Sequence, residues 1–231
     1  ISGATLTASN AFAGSKIDLA DYASTVTNVD ASAITRRISI LGTAADNSIS
    51  GGNIGTYIDG GSGSNTIFGN TGNDTIVTGN GADILNGGVG HDSLIGGGGA
   101  DTFISGTGND TIYGDSVTSY GILYKYATGD GYDTIYGFQS KDTLKISGSY
   151  GYYDGGAGND VISVSGGAEG NTLVGGAGAD SIITNGGGNV IVYNSGDGKD
   201  TIVGYGENDS LMINGTVTKA AQSGANVLIT V

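Results

Sequence analysis

Aspartate recurs every nine residues through the middle of this chain, at Asp74, Asp83, Asp92, Asp101 and Asp110. A carboxylate can serve as an acid or base, as a nucleophile or as a ligand for a hard cation, and its surroundings decide which. Here the surroundings are periodic. Counted in nines from Gly42, residues 42–113 read GTAADNSIS, GGNIGTYID, GGSGSNTIF, GNTGNDTIV, TGNGADILN, GGVGHDSLI, GGGGADTFI and SGTGNDTIY. The five aspartates hold the sixth place, where the earlier copies carry Asn47, Thr56 and Asn65. The eighth place is large and apolar in all eight copies, from Ile49 to Ile112, and the fourth is glycine in the last six.

Catalysis fits this pattern poorly. The chain has one histidine, His91, and no cysteine, which removes Cys–His dyads and the usual zinc ligand sets. A Ser–His–Asp triad would have to use His91, fifth in GGVGHDSLI, which we read as a solvated loop residue. Paired carboxylates can cleave glycosides, but such regular spacing marks a ladder, and the only glutamates, Glu169 and Glu207, fall in turns. No catalytic constellation is present, and an enzyme is not expected.

The elements that position the carboxylates follow from the period. A repeat of nine without gaps means a solenoid. Places seven to nine, such as Thr75-Ile76-Val77, suit a very short β-branched strand with one inward side chain. The six residues before them form a turn in which glycine supplies backbone angles that other residues resist. Two nonads make one coil of 18 residues, so strands stack on strands about 4.8 Å apart. Sixth places of alternate nonads then line up, with Asp74, Asp92 and Asp110 on one edge and Asn65, Asp83 and Asp101 on the other. Like charges so close repel by about 1 kcal/mol per pair in water and several times more at lower dielectric. A cation must lie between them. The other Asp-rich calcium loop, the EF-hand, needs a glutamate at its twelfth place between helices, and no such pattern occurs.

GGVGHDSLI (87–95), GGGGADTFI (96–104) and GGAGNDVIS (155–163) fit GGxGxDxUx, with U a large apolar residue, at every specified place. Over most of its length the chain therefore resembles the repeats-in-toxin (RTX) proteins. The resemblance implies an all-β, right-handed parallel β-roll with several calcium ions held between the turns of alternate nonads. Its implied side-chain ligands are Asn65, Asp74, Asp83, Asp92, Asp101, Asp110, Asp133, Asp142, Asp160, Asp180, Asp200 and Asp209. The implied carbonyl ligands are Gly61, Gly63, Gly72, Gly79, Gly81, Gly88, Gly90, Gly97, Gly99, Gly106, Gly108, Gly156, Gly158, Gly176 and Gly178. Oxygen donors in this number suit calcium, which takes about six to eight. Residues 42–59 lack Asp at the sixth place, so calcium binding there is expected to be weak or absent, and the edge formed by Asn171 and Asn189 is expected to bind weakly.

Four segments are expected: residues 1–41 as capping strands, 42–113 as a first block, 114–154 as an irregular Tyr-rich junction with a closing unit, and 155–231 as a second block with a C-terminal cap. Two closing units show in the alignment of residues 126–146 on 193–213 at an offset of 67, with 11 of 21 positions identical. One continuous roll is expected across them, because the nonad frame runs through 128–163.

With 47 glycines and a formal charge of −14, the chain favours divalent cations over nucleic acid or anionic membranes, which call for basic patches. No run of 18 apolar residues is present, so no spanning helix is expected. Beginning at Ile1, the chain reads as a piece of something longer. The combined reading is a calcium-binding module on a bacterial cell surface, adhesin or surface-layer-like, that folds outside the cell. The alternative is the C-terminal secretion and folding region of a type I-secreted enzyme or toxin. Calcium ions are the expected partners, with cell-surface glycans or identical chains stacked on open coil ends as further candidates. The nine tyrosines from Tyr113 to Tyr153 read first as strand formers that fill the irregular junction and second as an aromatic platform for sugars or a partner protein, which replacement of Tyr150, Tyr152 and Tyr153 would test.

Overall fold

A computed structural model describes residues 3–11, 13–22, 24–115, 123–125, 131–185, 187–215, 219–223 and 226–230. Each nonad of residues 42–77 yields one three-residue strand: Ser48–Ser50, Tyr57–Asp59, Thr66–Phe68 and Thr75–Val77. In each of these only the middle residue is buried. Glycine-rich turns reverse the chain between them, and successive strands alternate between two parallel sheets. Among the described residues one sheet has 13 strands and the other 11.

Register is set by the eighth place. In the first sheet Ile49 pairs with Ile67, Ile67 with Leu85 and Leu85 with Phe103. In the second, Ile58 pairs with Ile76, Ile76 with Leu94 and Leu94 with Ile112. All eight of these side chains are 0% exposed. They belong to a single core that runs the length of the described solenoid. The fold is therefore the all-β parallel roll that the period predicts. Burying one large side chain per nonad is modest stabilisation for nine ordered residues, many of them glycine.

The solenoid begins ahead of the nonads. Val26–Asp30 pairs with Ser48–Ser50, and Ser39–Leu41 with Tyr57–Asp59. Ala4–Thr7 and Lys16–Asp18 lie outermost in their sheets. Part of the Tyr-rich junction, residues 116–122 and 126–130, lies outside the described residues. Leu123–Lys125 nonetheless holds the place between Thr102–Ile104 and Thr143–Lys145, and the second sheet passes directly from Thr111–Asp115 to Thr134–Phe138. At the far end Asn226–Thr230 turns antiparallel to Lys199–Ile202 and pairs with Lys219–Ser223. This hairpin ends the first sheet.

An outward aromatic platform that includes Tyr153, the lesser reading of the junction tyrosines, needs a correction. Tyr153 is fully buried and paired with Ile135 and Leu173, because it is eighth in the frame of ISGSYGYYD (146–154) and therefore points inward. The outward aromatics form a different row. Tyr113 stacks on Tyr136 with ring centres 5.5 Å apart, and Tyr136 tilts against Tyr152 at 5.9 Å. Tyr132 and Tyr150 meet edge to face nearby.

Candidate metal centre

The sixth residue of each nonad ends a turn and leads into a strand, and its side chain is taken up by the coil before it. The backbone N–H of Thr56 donates to Asp74 Oδ1, that of Asp74 to Asp92 Oδ1 at 2.8 Å, and that of Asp92 to Asp110 Oδ1 at 2.7 Å. Asp110 continues to Asp133 at 2.8 Å. On the other edge Asn47 donates to Asn65 Oδ1, Asn65 to Asp83 Oδ1 and Asp83 to Asp101 Oδ1. Asp142, Asp160, Asp180 and Asp200 form the same chain of bonds further along, while Gly151, Asn171, Asn189 and Asp209 follow Asp133 on the opposite edge. The structure thus brings all twelve expected side chains into two ladders. Gly151, which has no side chain to offer at its own sixth place, is a gap that the degenerate nonad concealed.

One oxygen of each accepting aspartate is used in this way; the other is the chemically interesting one. Oδ2 of Asp74, Asp83, Asp92, Asp160 and Asp180 is buried and has no hydrogen-bond partner. A bare carboxylate oxygen held out of water disfavours its own charge. Burial accordingly raises Asp74 to about 7, Asp92 to about 6, Asp160 to about 8, Asp180 to about 6 and Asp200 to about 7, against the opposing pull of the backbone N–H that each accepts. Repulsion from neighbouring aspartates adds to the rise at Asp74 and Asp160.

The turn leaves room for that oxygen. A Cβ on Gly69 would lie 2.5 Å from Asp74 Oδ2, and one on Gly155 or Gly175 would lie 2.6 Å from Asp160 or Asp180 Oδ2. Coil stacking is equally close at the second and fourth places, where a Cβ on Gly106 or Gly108 would lie 1.9 or 1.8 Å from the carbonyl oxygens of Gly88 and Gly90. Gly106 and Gly108 also take positive φ, 103° and 130°. Where Asn70 replaces a second-place glycine it keeps φ at 77° and its Nδ2 donates to Gly51 O at 2.8 Å. Among the described residues no three acidic or imidazole side chains converge on one point. A cation here would draw on one or two carboxylates and several turn carbonyls, a donor set suited to calcium.

A second ladder runs beside the first with the opposite polarity, and the sequence reading missed it. At the fifth place the side chain of one coil accepts the N–H of the next. Asp46 accepts from Ser64, Ser64 from Ala82 and Asn73 from His91, and His91 Nδ1 accepts from Asn109 at 2.8 Å. His91 is exposed but is more than a solvated loop residue. The signal lay in the side-chain acceptors Asp46, Ser64, Asn73, His91 and Asn109 at that place. Two further carboxylates also went unread: Asp154 Oδ1 accepts the Gly156 N–H, and buried Asp197 accepts that of Asn194.

The model of the RTX calcium-binding nonapeptide repeat (4 copies) matches residues 59–94, 95–116, 126–145, 152–169, 165–197 and 194–212. No curated protein matches the chain.

Proposed function

Because this chain belongs to the RTX calcium-binding nonapeptide repeat family, whose repeats bind calcium at multiple sites, we propose that it is an extracellular module of a bacterial surface protein, adhesin or surface-layer-like, that becomes ordered as calcium fills its ladders. One observation carries the calcium-linked part: unpartnered, buried Oδ2 atoms recur coil after coil against glycine turns. Asp74, Asp83, Asp92, Asp101, Asp110, Asp133, Asp142, Asp160, Asp180, Asp200 and Asp209 would supply carboxylate oxygen, and the second- and fourth-place glycines carbonyl oxygen. Calcium neutralises the stacked carboxylates when bound, and the residues themselves align the coils and exclude water from the ladder. Ligands that exist as a set only in the folded chain tie metal binding to folding, and millimolar calcium outside the cell suits such modules.

The surface-protein reading draws on the twofold closing unit at an offset of 67 residues and on a lead-in that is part of the same solenoid. A calcium titration followed by circular dichroism and light scattering on one sample tests it. A cooperative gain of strand signal near millimolar calcium is expected, and added scattering would point to lattice assembly. Equal strand signal in chelator and in calcium would defeat calcium-linked folding. Failure of the calcium-loaded chain to bind bacterial cells or to self-assemble would favour the alternative, a secretion and folding region of an exported enzyme or toxin.

A further inference from the structure

Asn65 stands in its turn where the aspartates stand in theirs, and its amide reveals what that place demands. Its Oδ1 accepts the Asn47 N–H at 2.9 Å, the bond that Asp74, Asp83, Asp92, Asp160 and Asp180 also make. Its Nδ2 lies 3.3 Å from where a Cβ on Gly60 would be, over the first-place glycine, as Asp74 Oδ2 lies over Gly69. At that point the chemistry inverts. Nδ2 donates to Gly63 O at 3.1 Å and lies 3.5 Å from the carbonyl oxygens of Gly61 and Ser62. An amide sets hydrogens against those carbonyls, whereas an aspartate in the same pose sets an oxygen lone pair in the corresponding place. Acceptor against acceptor calls for a cation; Asn65 supplies the positive end itself.

The neighbouring coils close in the same metal-free way. Asn47 Oδ1 accepts the Thr43 N–H at 2.8 Å, and its Nδ2 donates to Thr27 O at 3.1 Å. Thr56 Oγ1 accepts the Gly52 N–H at 3.0 Å. Asn53 Nδ2 ties the turn to Ser32 O at 2.7 Å. A core of Val29, Ala31, Ile34, Ile38, Ile40 and Ile49 lies beneath them, each at most 3% exposed.

We propose that residues 24–68 form a calcium-independent starter whose amide and hydroxyl groups take the place of ions, and that calcium-dependent order begins at the turn carrying Asp74. Asn65 is then a substitute for the metal in its own turn rather than a ligand. The inference rests on the reading that calcium orders the Asp-bearing coils. In a solenoid each coil is stabilised by its neighbours, so the starter presents Tyr57–Asp59 and Thr66–Phe68 as ready edges for the next coil.

Amide hydrogen exchange on the whole chain, in EGTA and then with calcium chloride, tests this. In EGTA, amides of residues 26–30, 48–50, 57–59 and 66–68 should exchange at least about tenfold slower than those of 75–113, a difference that calcium erases. If residues 26–68 gain protection only with calcium, at the midpoint of 75–113, the starter is overturned while calcium-linked folding stands. If 75–113 is equally protected in EGTA and in calcium, both fall. Asn65→Asp should add one calcium ion per chain in native mass spectrometry and remove the EGTA-resistant protection at 66–68. An unchanged ion count would overturn the substitution argument.

Discussion

The turns of residues 42–68 and 69–113 bury the same kind of eighth-place side chain, and in both the sixth-place N–H from Asn47 to Asp92 donates to the sixth side chain of the next coil. They differ at one polar atom of the sixth residue. In the first group the atom that faces its own turn is satisfied there, Asn65 Nδ2 donating to Gly63 O, Asn47 Oδ1 accepting from Thr43 N–H and Thr56 Oγ1 from Gly52 N–H; in the second, at Asp74, Asp83 and Asp92, it is a carboxylate oxygen with no hydrogen-bond partner. The roll itself therefore makes no demand for metal. The demand comes from one atom per turn, and a sequence can switch it on or off coil by coil.

The largest separation between the two groups should come from removing a carboxylate. Asp92→Ala deletes both the acceptor for the Asp74 N–H and the unpartnered oxygen, and should raise the calcium midpoint by about tenfold or more, which is about 1.4 kcal/mol. Asn65→Ala should leave that midpoint in place and destabilise the chain in chelator by about 1–3 kcal/mol, as expected for stranded buried partners. Equal shifts in calcium midpoint for the two variants would erase the contrast. Acid gives a second separation. With calcium chelated, coils from Asp74 onward should gain strand signal as pH falls from about 8 to about 5, while residues 24–68 do not respond. An aspartate near 3.9 in the unfolded chain and raised to about 6–8 in the fold binds its proton more tightly when folded. Its stabilisation is full below about pH 4 and is lost as pH rises through about 6–8. Strand signal that grew with rising pH in chelator would contradict this sign.

A finer test moves the boundary. Asp83→Asn should let that turn close as the Asn65 turn does, so that slow exchange in chelator extends to Ile84–Val89; exchange there at the unfolded rate would show that the amide alone is not enough. The smallest effect belongs to the fifth-place ladder. Asn73→Ala removes one exposed acceptor, that of the His91 N–H, and should cost about 0.5–1.5 kcal/mol in thermal melts of the calcium form. A changed calcium midpoint in this variant would mean that the two ladders are coupled.

Much of this was legible in the sequence, for an arithmetic reason. A strict period fixes which residues stack, so Asp74, Asp92 and Asp110 could be placed on one edge before any coordinates, and Ile49 to Ile112 in the core. Tyr153 is harder to place than these because its nonad lacks the glycine and aspartate marks, although the frame puts it eighth and inward. Periodicity does not say which way a hydrogen bond runs. The opposite polarities of the fifth- and sixth-place ladders are not written in the period, nor is the reversal by which Asn65 Nδ2 meets Gly63 O. Asn65 shares the sixth place with the aspartates, and its Oδ1 does the same job as theirs.

The ladders tolerate unequal steps. Asn65 to Asp83 spans 18 residues, whereas Asp160 to Asp180 and Asp180 to Asp200 span 20, yet the three rungs measure 2.6, 2.8 and 2.9 Å. Surplus residues are absorbed beside the rung. What the architecture cannot absorb is half a coil: one nonad gained or lost would hand every later strand to the opposite sheet and carry the terminal hairpin to the other flank. Unequal recombination among such repeats is therefore filtered by parity, so that the rod lengthens or shortens in whole coils and its inherited unit of length is the pair of nonads.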